Sequence, residues 1–466
     1  MNGASSEDAG APAAGRAKGV GRRVRRNAGM MLAAKILGGA AALAGLGFAA
    51  RGLTTEEFGL LVFMHACVLF FSKVATFDSW LAVVRYAAGG LTGEEAARAN
   101  AAQLGRVVRF CATLDLVAAV GAFAAATLAA WALAGAVDIL DRASPHVFGY
   151  LVLILLNQKS ASLGVLRLFD RYDLVALNSL ILPFVRAGGC GAAWAVGAPF
   201  EAFVATWFLS SALNYLVLPA LGIRELVRRG LWAAVAGGRP SLAAPAPGMW
   251  RFVAMTNVNR GLAAAAAQAP VLLAGGVGGA GYAALFRVAQ EVAIILGKGT
   301  AMVDRVIYPE FTNLIARNEG ARVPRFVLLC AGALMAIGAA VGVGFWFVGP
   351  AVLTAWMGPA YADASLLAVL LIVAAAIEAA VAPAFPAFYA ADLVGRAILA
   401  RAASLVVTVV GFVVLYGAMG PVGPGAAMII GTLALLAATA WVAARHDWAS
   451  SAAAEAERPD APAARS

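Results

Sequence analysis

The chain has 466 residues, of which 62% are hydrophobic and only 13% charged, with a formal net charge of +10. Water-soluble domains run at roughly 45–50% apolar and about 25% charged, so an ordinary soluble enzyme is excluded and an integral membrane protein is indicated. The positive balance is explained by basic flanks at a membrane surface and does not call for nucleic acid.

In chain order, residues 1–26 read as a polar, disordered cytoplasmic tail that ends in Arg22, Arg23, Arg25 and Arg26. The first apolar segment lacks a convincing signal-peptidase site and is expected to stay as a span. A span needs about 20 mostly apolar residues. Such runs fall at 28–50, 58–84, 106–134, 147–168, 174–197, 200–221, 250–273, 281–303, 325–348, 364–390, 394–417 and 422–444. They are long and rich in Ala, Leu and Val rather than alternating, which excludes a transmembrane barrel. The expected fold is therefore all-α, with about twelve spans in two six-helix lobes. The lobes are 27–221 and 250–445, joined by a cytoplasmic linker at 222–249 that holds Arg224–Arg229 and the Gly/Pro-rich run Gly237–Gly248; a second disordered tail is expected over 446–466. An offset of 222 residues superposes Gly59 on Gly281, His65 on Arg287 and Tyr86 on Tyr308, which is compatible with a duplicated six-span unit.

Orientation follows from the basic residues. With the N-terminus in the cytoplasm, the cytoplasmic side collects Arg22–Arg26, Arg85, Arg98, Arg106, Arg109, Arg167, Arg171, Arg224, Arg228, Arg229, Arg239, Arg305, Arg317, Arg322, Arg396 and Arg445. The opposite side keeps Arg51 and Arg142. Short loops with this bias imply both termini inside, at the inner (cytoplasmic) membrane. The outer loops at 51–57, 135–146, 274–280 and 349–363 are too short to build a catalytic domain.

No P-loop, HExxH, CxxC or GxSxG pattern occurs, and His65, His146 and His446 are far apart. No metal, cofactor or enzymatic activity is therefore expected. Cys67, Cys111, Cys190 and Cys330 sit in apolar runs and read as small buried hydrophobes.

The informative residues are ions inside spans, because a charge at mid-membrane costs about 2.5–3.5 kcal/mol even on the insertion scale. Lys35, Lys73, Asp78, Lys159, Arg186, Arg260, Arg287, Glu291, Lys298 and Glu378 are such residues, and Asn257 is a neutral companion near Arg260. Two readings stand: the long cations snorkel to the headgroups, or they line a watery cavity. Arg287, Glu291 and Lys298, spaced by four and seven residues, share one helix face. That stripe is either a self-compensating ion pair or part of a path. The eleventh and twelfth spans look bland and read as scaffold. Cations outnumber anions in this set, so an anionic substrate such as a phosphate or diphosphate headgroup is expected. Pro183, Pro270, Pro383 and Pro386 offer kinks.

Two pairs of segments carry a family likeness. Arg51-Gly-Leu-Thr-Thr-Glu-Glu-Phe-Gly-Leu-Leu61 and Thr76-Phe-Asp-Ser-Trp-Leu-Ala-Val-Val-Arg-Tyr86 belong to the first half, Gly281-Tyr-Ala-Ala-Leu-Phe-Arg-Val-Ala-Gln290 and Val306-Ile-Tyr-Pro-Glu-Phe311 to the second. Together they resemble the polysaccharide exporters, or O-antigen-type flippases, of the multidrug/oligosaccharidyl-lipid/polysaccharide (MOP) exporter superfamily. The resemblance implies a two-lobed transporter that flips a polyprenyl-diphosphate-linked oligosaccharide for cell-surface polysaccharide and O-antigen assembly. Membrane lipids and polysaccharide assembly proteins are its expected partners. It implies Lys35, Lys73, Arg260, Arg287 and Lys298 as substrate-binding cations, with Asp78, Glu291 and Glu378 as charge partners or ion-coupling sites; Lys159, Arg186 and Asn257 are further cavity-lining candidates. Drug/cation antiport is the alternative, for which Asp78, Asp115, Glu291 and Glu378 supply acidic groups. A membrane polysaccharide polymerase or ligase, and a non-transporting scaffold, are the remaining readings.

Overall fold

The structure, a computed structural model, describes residues 11–75, 77–87, 98–316, 322–390 and 393–446. Within these residues the secondary structure is helical and holds no strand, as the long unalternating apolar runs require. Helices α1 (Ala11–Gly52), α2 (Thr55–Ala75), α3 (Ser79–Tyr86), α4 (Ala101–Leu133), α5 (Asp138–Leu156), α6 (Ser160–Leu168), α7 (Tyr172–Ala195), α8 (Phe200–Arg228) and α9 (Trp232–Ala236) come first. They are followed by α10 (Met249–Ala316), α11 (Val323–Met357), α12 (Ala364–Val381), α13 (Ala384–Ala390), α14 (Val394–Met419) and α15 (Gly423–Ala444). Among the described residues, ten stretches are long and apolar enough to cross a membrane. Two of these, 249–295 and 395–444, each contain a pair of the helices expected from the sequence.

The second, fourth and tenth spans, expected to be continuous, are each interrupted. Phe77 and Asp78 separate α2 from α3, the polar triplet Asn157-Gln158-Lys159 separates α5 from α6, and Ala382-Pro383 separates α12 from α13. Pro383 lacks the N–H a helix needs, and polar side chains compete with the backbone for hydrogen bonds at the other two sites. The loop expected at 274–280 is also replaced. Helix α10 is helical on both sides of Gly279, whose φ of +76° is open only to glycine at little cost. There the chain turns back on itself, so that the Gln290 side-chain amide donates to the Ala267 carbonyl at 3.1 Å. Residues 11–26, expected to be disordered, belong to α1, which runs from Ala11 to Gly52.

The chain forms two compact units. Unit 1 comprises 1–52, 71–129 and 148–261, and unit 2 comprises 53–70, 130–147 and 262–466. Each unit is built from three segments, where the sequence leads one to expect the continuous lobes 27–221 and 250–445. In unit 1, α7 packs against α1 and α8, with Phe48 stacked on Trp194 at 5.5 Å. Arg109 of α4 donates to the carbonyls of Ala234 (2.5 Å) and Val235 (3.0 Å), which lie in the expected linker 222–249, and Phe110 meets Trp250 edge-on. At the end of α8, Glu225 is only 1% exposed and takes the guanidinium groups of Arg171, Arg228 and Arg229. A hydrogen bond from Arg171 to Asp173 also holds that guanidinium's pKa above its ordinary value.

In unit 2, the start of α2 is fixed by a reciprocal cap, in which Glu57 accepts from the Thr54 N–H at 2.9 Å and donates its own N–H to the Thr54 hydroxyl at 3.2 Å. Gly59 then meets the α10 turn so closely that a Cβ there would lie 1.8 Å from the Ala280 oxygen. Phe58 packs edge-on to the buried Tyr361, and Arg142 bridges to Glu56 at 2.7 Å and Asp138 at 3.0 Å. This packing places 53–70 and 130–147 in unit 2. Helices α14 and α15 form a hairpin, and α12 packs on α11 and α15.

Candidate functional site

In unit 1 the broken ends of the second and fourth spans come together. Helix α3 packs on α6, and the Trp80 N–H in the first turn of α3 donates to the Ser160 hydroxyl at the start of α6, at 3.1 Å. Asp115 of α4, 5% exposed, serves both ends. It accepts from the Ser79 hydroxyl at 2.9 and 3.1 Å and from the Ala161 N–H at 3.0 Å. Helix N-termini present unsatisfied N–H groups and partial positive charge, so a buried carboxylate is the group that can hold two of them.

Lys159 immediately precedes α6. Its ammonium donates to Asn214 Oδ1 at 3.3 Å and lies 4.7 Å from the Tyr215 ring centroid, and among the described residues it makes no ion pair. The Asn214 amide donates in turn to the Asn178 carbonyl at 2.9 Å. Further along α8, Arg186 of α7 is 9% exposed; it donates to the hydroxyls of Ser210 (3.3 Å) and Ser211 (3.0 Å) and sits 4.1 Å from the centroid of Trp207. One face of α8 thus carries two interior cations on amide, hydroxyl and aromatic groups. Interior cations on such supports keep electrostatic attraction for an incoming anion.

Unit 2 contains a cavity of about 460 Å³ whose polar lining includes Gln268, Arg287, Glu378, Arg401, Ser404 and Thr432. Arg287 is ion-paired with Glu291 and donates to Gln290 Oε1 at 3.2 Å. Arg401 stacks over Phe385 at 4.3 Å, and among the described residues neither Arg401 nor Glu378 makes an ion pair.

The sequence candidates fall as follows. Lys159 and Arg186 are in the interior of unit 1, while Arg287 and Glu378 line the cavity of unit 2. The Arg287–Glu291 pair left open by the sequence is formed. Lys73 is exposed in the last turn of α2, beside the break, and Asp78 accepts from the Trp80 indole at 3.2 Å. Asn257 is half-buried near the end of α2, since a Cβ at Gly261 would lie 3.4 Å from the Val74 carbonyl and 3.6 Å from Asn257 Oδ1. Lys35 is exposed on α1. The side chains of Arg260 and Lys298 lie outside the described residues. Cys111 and Cys190 are buried and Cys67 and Cys330 half-buried, all four as free thiols. The sequence does not single out Asp115 as a structural group or Arg401, although Arg401, Ser404 and Thr408 recur at helical spacing in α14, one of the two spans that look bland.

No protein-family model matches the chain. Over 302 residues it is 28% identical to the inner membrane protein YghQ of Escherichia coli (strain K12), covering 65% of this chain and 84% of that protein. Its fold is that of the MOP superfamily transporters. It is similar to an inward-facing multidrug resistance MATE family transporter of that superfamily, with a TM-score of 0.68 and 13% identity over 90% of this chain and 96% of the other. It is similar also to the lipid II flippase MurJ in an inward closed conformation, with a TM-score of 0.63 and 10% identity over 90% and 87% of the two chains. A MOP superfamily transporter from Pyrococcus furiosus, whose binding pocket is described as having reverse polarity, has a TM-score of 0.52 and 15% identity over 92% and 96%. The chain is a multi-pass membrane protein with this fold.

Proposed function

We propose that the protein is a flippase that carries a polyprenyl-diphosphate-linked oligosaccharide across the inner membrane by alternating access, for cell-surface polysaccharide assembly, with both termini in the cytoplasm. The observation that carries the reading is the pair of cations supported by α8: Lys159 on Asn214 and Tyr215, and Arg186 on Ser210, Ser211 and Trp207. A diphosphate supplies the negative charge that such cations attract. The likeness in fold to MurJ, a lipid II flippase, supports the same class of cargo.

Drug/cation antiport is the second reading. It is favoured by Glu378, a cavity carboxylate without an ion pair among the described residues, and by the likeness to a multidrug MATE transporter. Proteoliposomes containing a fluorescently labelled lipid-linked oligosaccharide separate the two. The flippase reading expects translocation above that of empty vesicles, falling at least tenfold in Lys159→Ala and Arg186→Gln proteins that still insert. Translocation equal to empty vesicles, together with proton- or sodium-driven uptake of a cationic dye that depends on Glu378, overturns it in favour of the antiporter.

A further inference from the structure

We infer that the cavity of unit 2 is a saccharide subsite, built for a hydroxyl-rich sugar unit and not for phosphate. The assignment names the part of the cargo this cavity would receive, and so rests on the flippase reading. Charge is the first argument. Arg287 is neutralised by Glu291, and Arg401 and Glu378 bring opposite signs without pairing among the described residues. Among its described lining residues the site therefore offers no net positive charge to a diphosphate and opposes it with a carboxylate.

Hydrogen-bond polarity is the second argument. Ser404 donates its hydroxyl to the Gly431 carbonyl (2.7 Å), Thr408 to the Ser404 carbonyl (2.9 Å), and Thr432 to the carbonyls of Met428 and Ile429 (3.1 and 2.9 Å). With their protons committed, these three oxygens are left with lone pairs, and Glu378 is itself an acceptor when ionised. Gln268, 7% exposed, lines the cavity with no hydrogen bond to its amide among the described residues, and Arg401 adds a second donor group. A wall rich in acceptors with a few fixed donors requires a ligand that donates and accepts. Sugar hydroxyls do both, whereas a phosphate at neutral pH mainly accepts. Phe286, Leu371 and Leu405 supply apolar surface for the C–H face of a ring, and about 460 Å³ is within the range of small-molecule sites.

The test uses the full-length protein in detergent and sodium-free buffer, with saturation-transfer NMR on glucose, N-acetylglucosamine and inorganic pyrophosphate. Expected is transfer to at least one sugar, reduced fivefold or more in Glu378→Ala and in Ala375→Trp. The latter fills the cavity from α12 and leaves every charged residue in the sequence. Gly276→Ala, where a Cβ meets nothing within 4 Å, should leave the signal unchanged. Monodisperse elution of each variant guards against misfolding. Sugar signals that are absent, or that persist in both cavity variants, overturn the assignment, as does pyrophosphate binding that depends on Arg401. Glu378-dependent sodium binding without a sugar signal also overturns it. Parallel flipping assays separate the two claims. Vesicles that flip no lipid-linked oligosaccharide, while the free sugar still binds in a Glu378-dependent way, sink the flippase reading and leave the subsite standing. Unchanged flipping by Ala375→Trp with no sugar signal sinks the subsite alone.

Discussion

Replacing Asp115 with alanine should open the junction of the two broken spans. The carboxylate accepts from the Ser79 hydroxyl and the Ala161 N–H inside the protein. Hydrogen bonds to charged groups contribute about 1.5–3 kcal/mol each, so losing both costs about 3 kcal/mol at the lower end. Cys111, one helical turn before Asp115, is fully buried, with its thiol 3.6 Å from the Ser79 carbonyl. It reports opening of that junction. If labelling proceeds through transient opening, about 3 kcal/mol accelerates it by about two decades, at roughly 1.4 kcal/mol per tenfold. Site-resolved mass spectrometry after N-ethylmaleimide treatment should therefore find Cys111 labelled about a hundredfold faster in Asp115→Ala. Asp115→Asn, which keeps one acceptor oxygen, should give about tenfold. Buried Cys190 near Trp207 serves as the internal control. A change below threefold at Cys111, or an equal rise at Cys190, would refute the view that this carboxylate holds the junction.

Other consequences are local. Glu225→Gln removes the buried carboxylate facing Arg171, Arg228 and Arg229 and should cost about 3–5 kcal/mol, read as a lower melting temperature and faster tryptic cleavage at Arg228 and Arg229. Gly59→Ala places a methyl 1.8 Å from the Ala280 oxygen and should lower the melting temperature by several degrees, whereas Gly276→Ala should not; equal melting of the two would deny the close approach. Arg109→Ala releases the carbonyls of Ala234 and Val235 and should speed limited trypsin cleavage at Arg239 severalfold without altering cleavage in the N-terminal tail.

Hydropathy carries far because a bilayer imposes one rule on every span: backbone groups must be satisfied within the segment. Composition and run length therefore determined the all-α class, and the approximate place of each helix. The ionisable residues inside those runs were also visible, since each is costly; Arg186 is buried, Lys159 and Arg287 are half-buried, and Arg287 and Glu378 line the cavity of unit 2. What hydropathy averages away is the interruption of a helix by two or three residues. The breaks at Phe77-Asp78 and Asn157-Gln158-Lys159 left the apolar windows nearly unchanged. Only the tertiary structure brings them together on Asp115, a residue that in sequence is one acid among several. The same holds for Arg401 and Gln268, which become a wall only when α14 and α10 enclose one cavity. The sequence by itself determined which residues enter the membrane, through the cost of leaving water. Which of them share a site was decided by packing, because hydrogen-bond partners distant along the chain become neighbours only once the helices are in place.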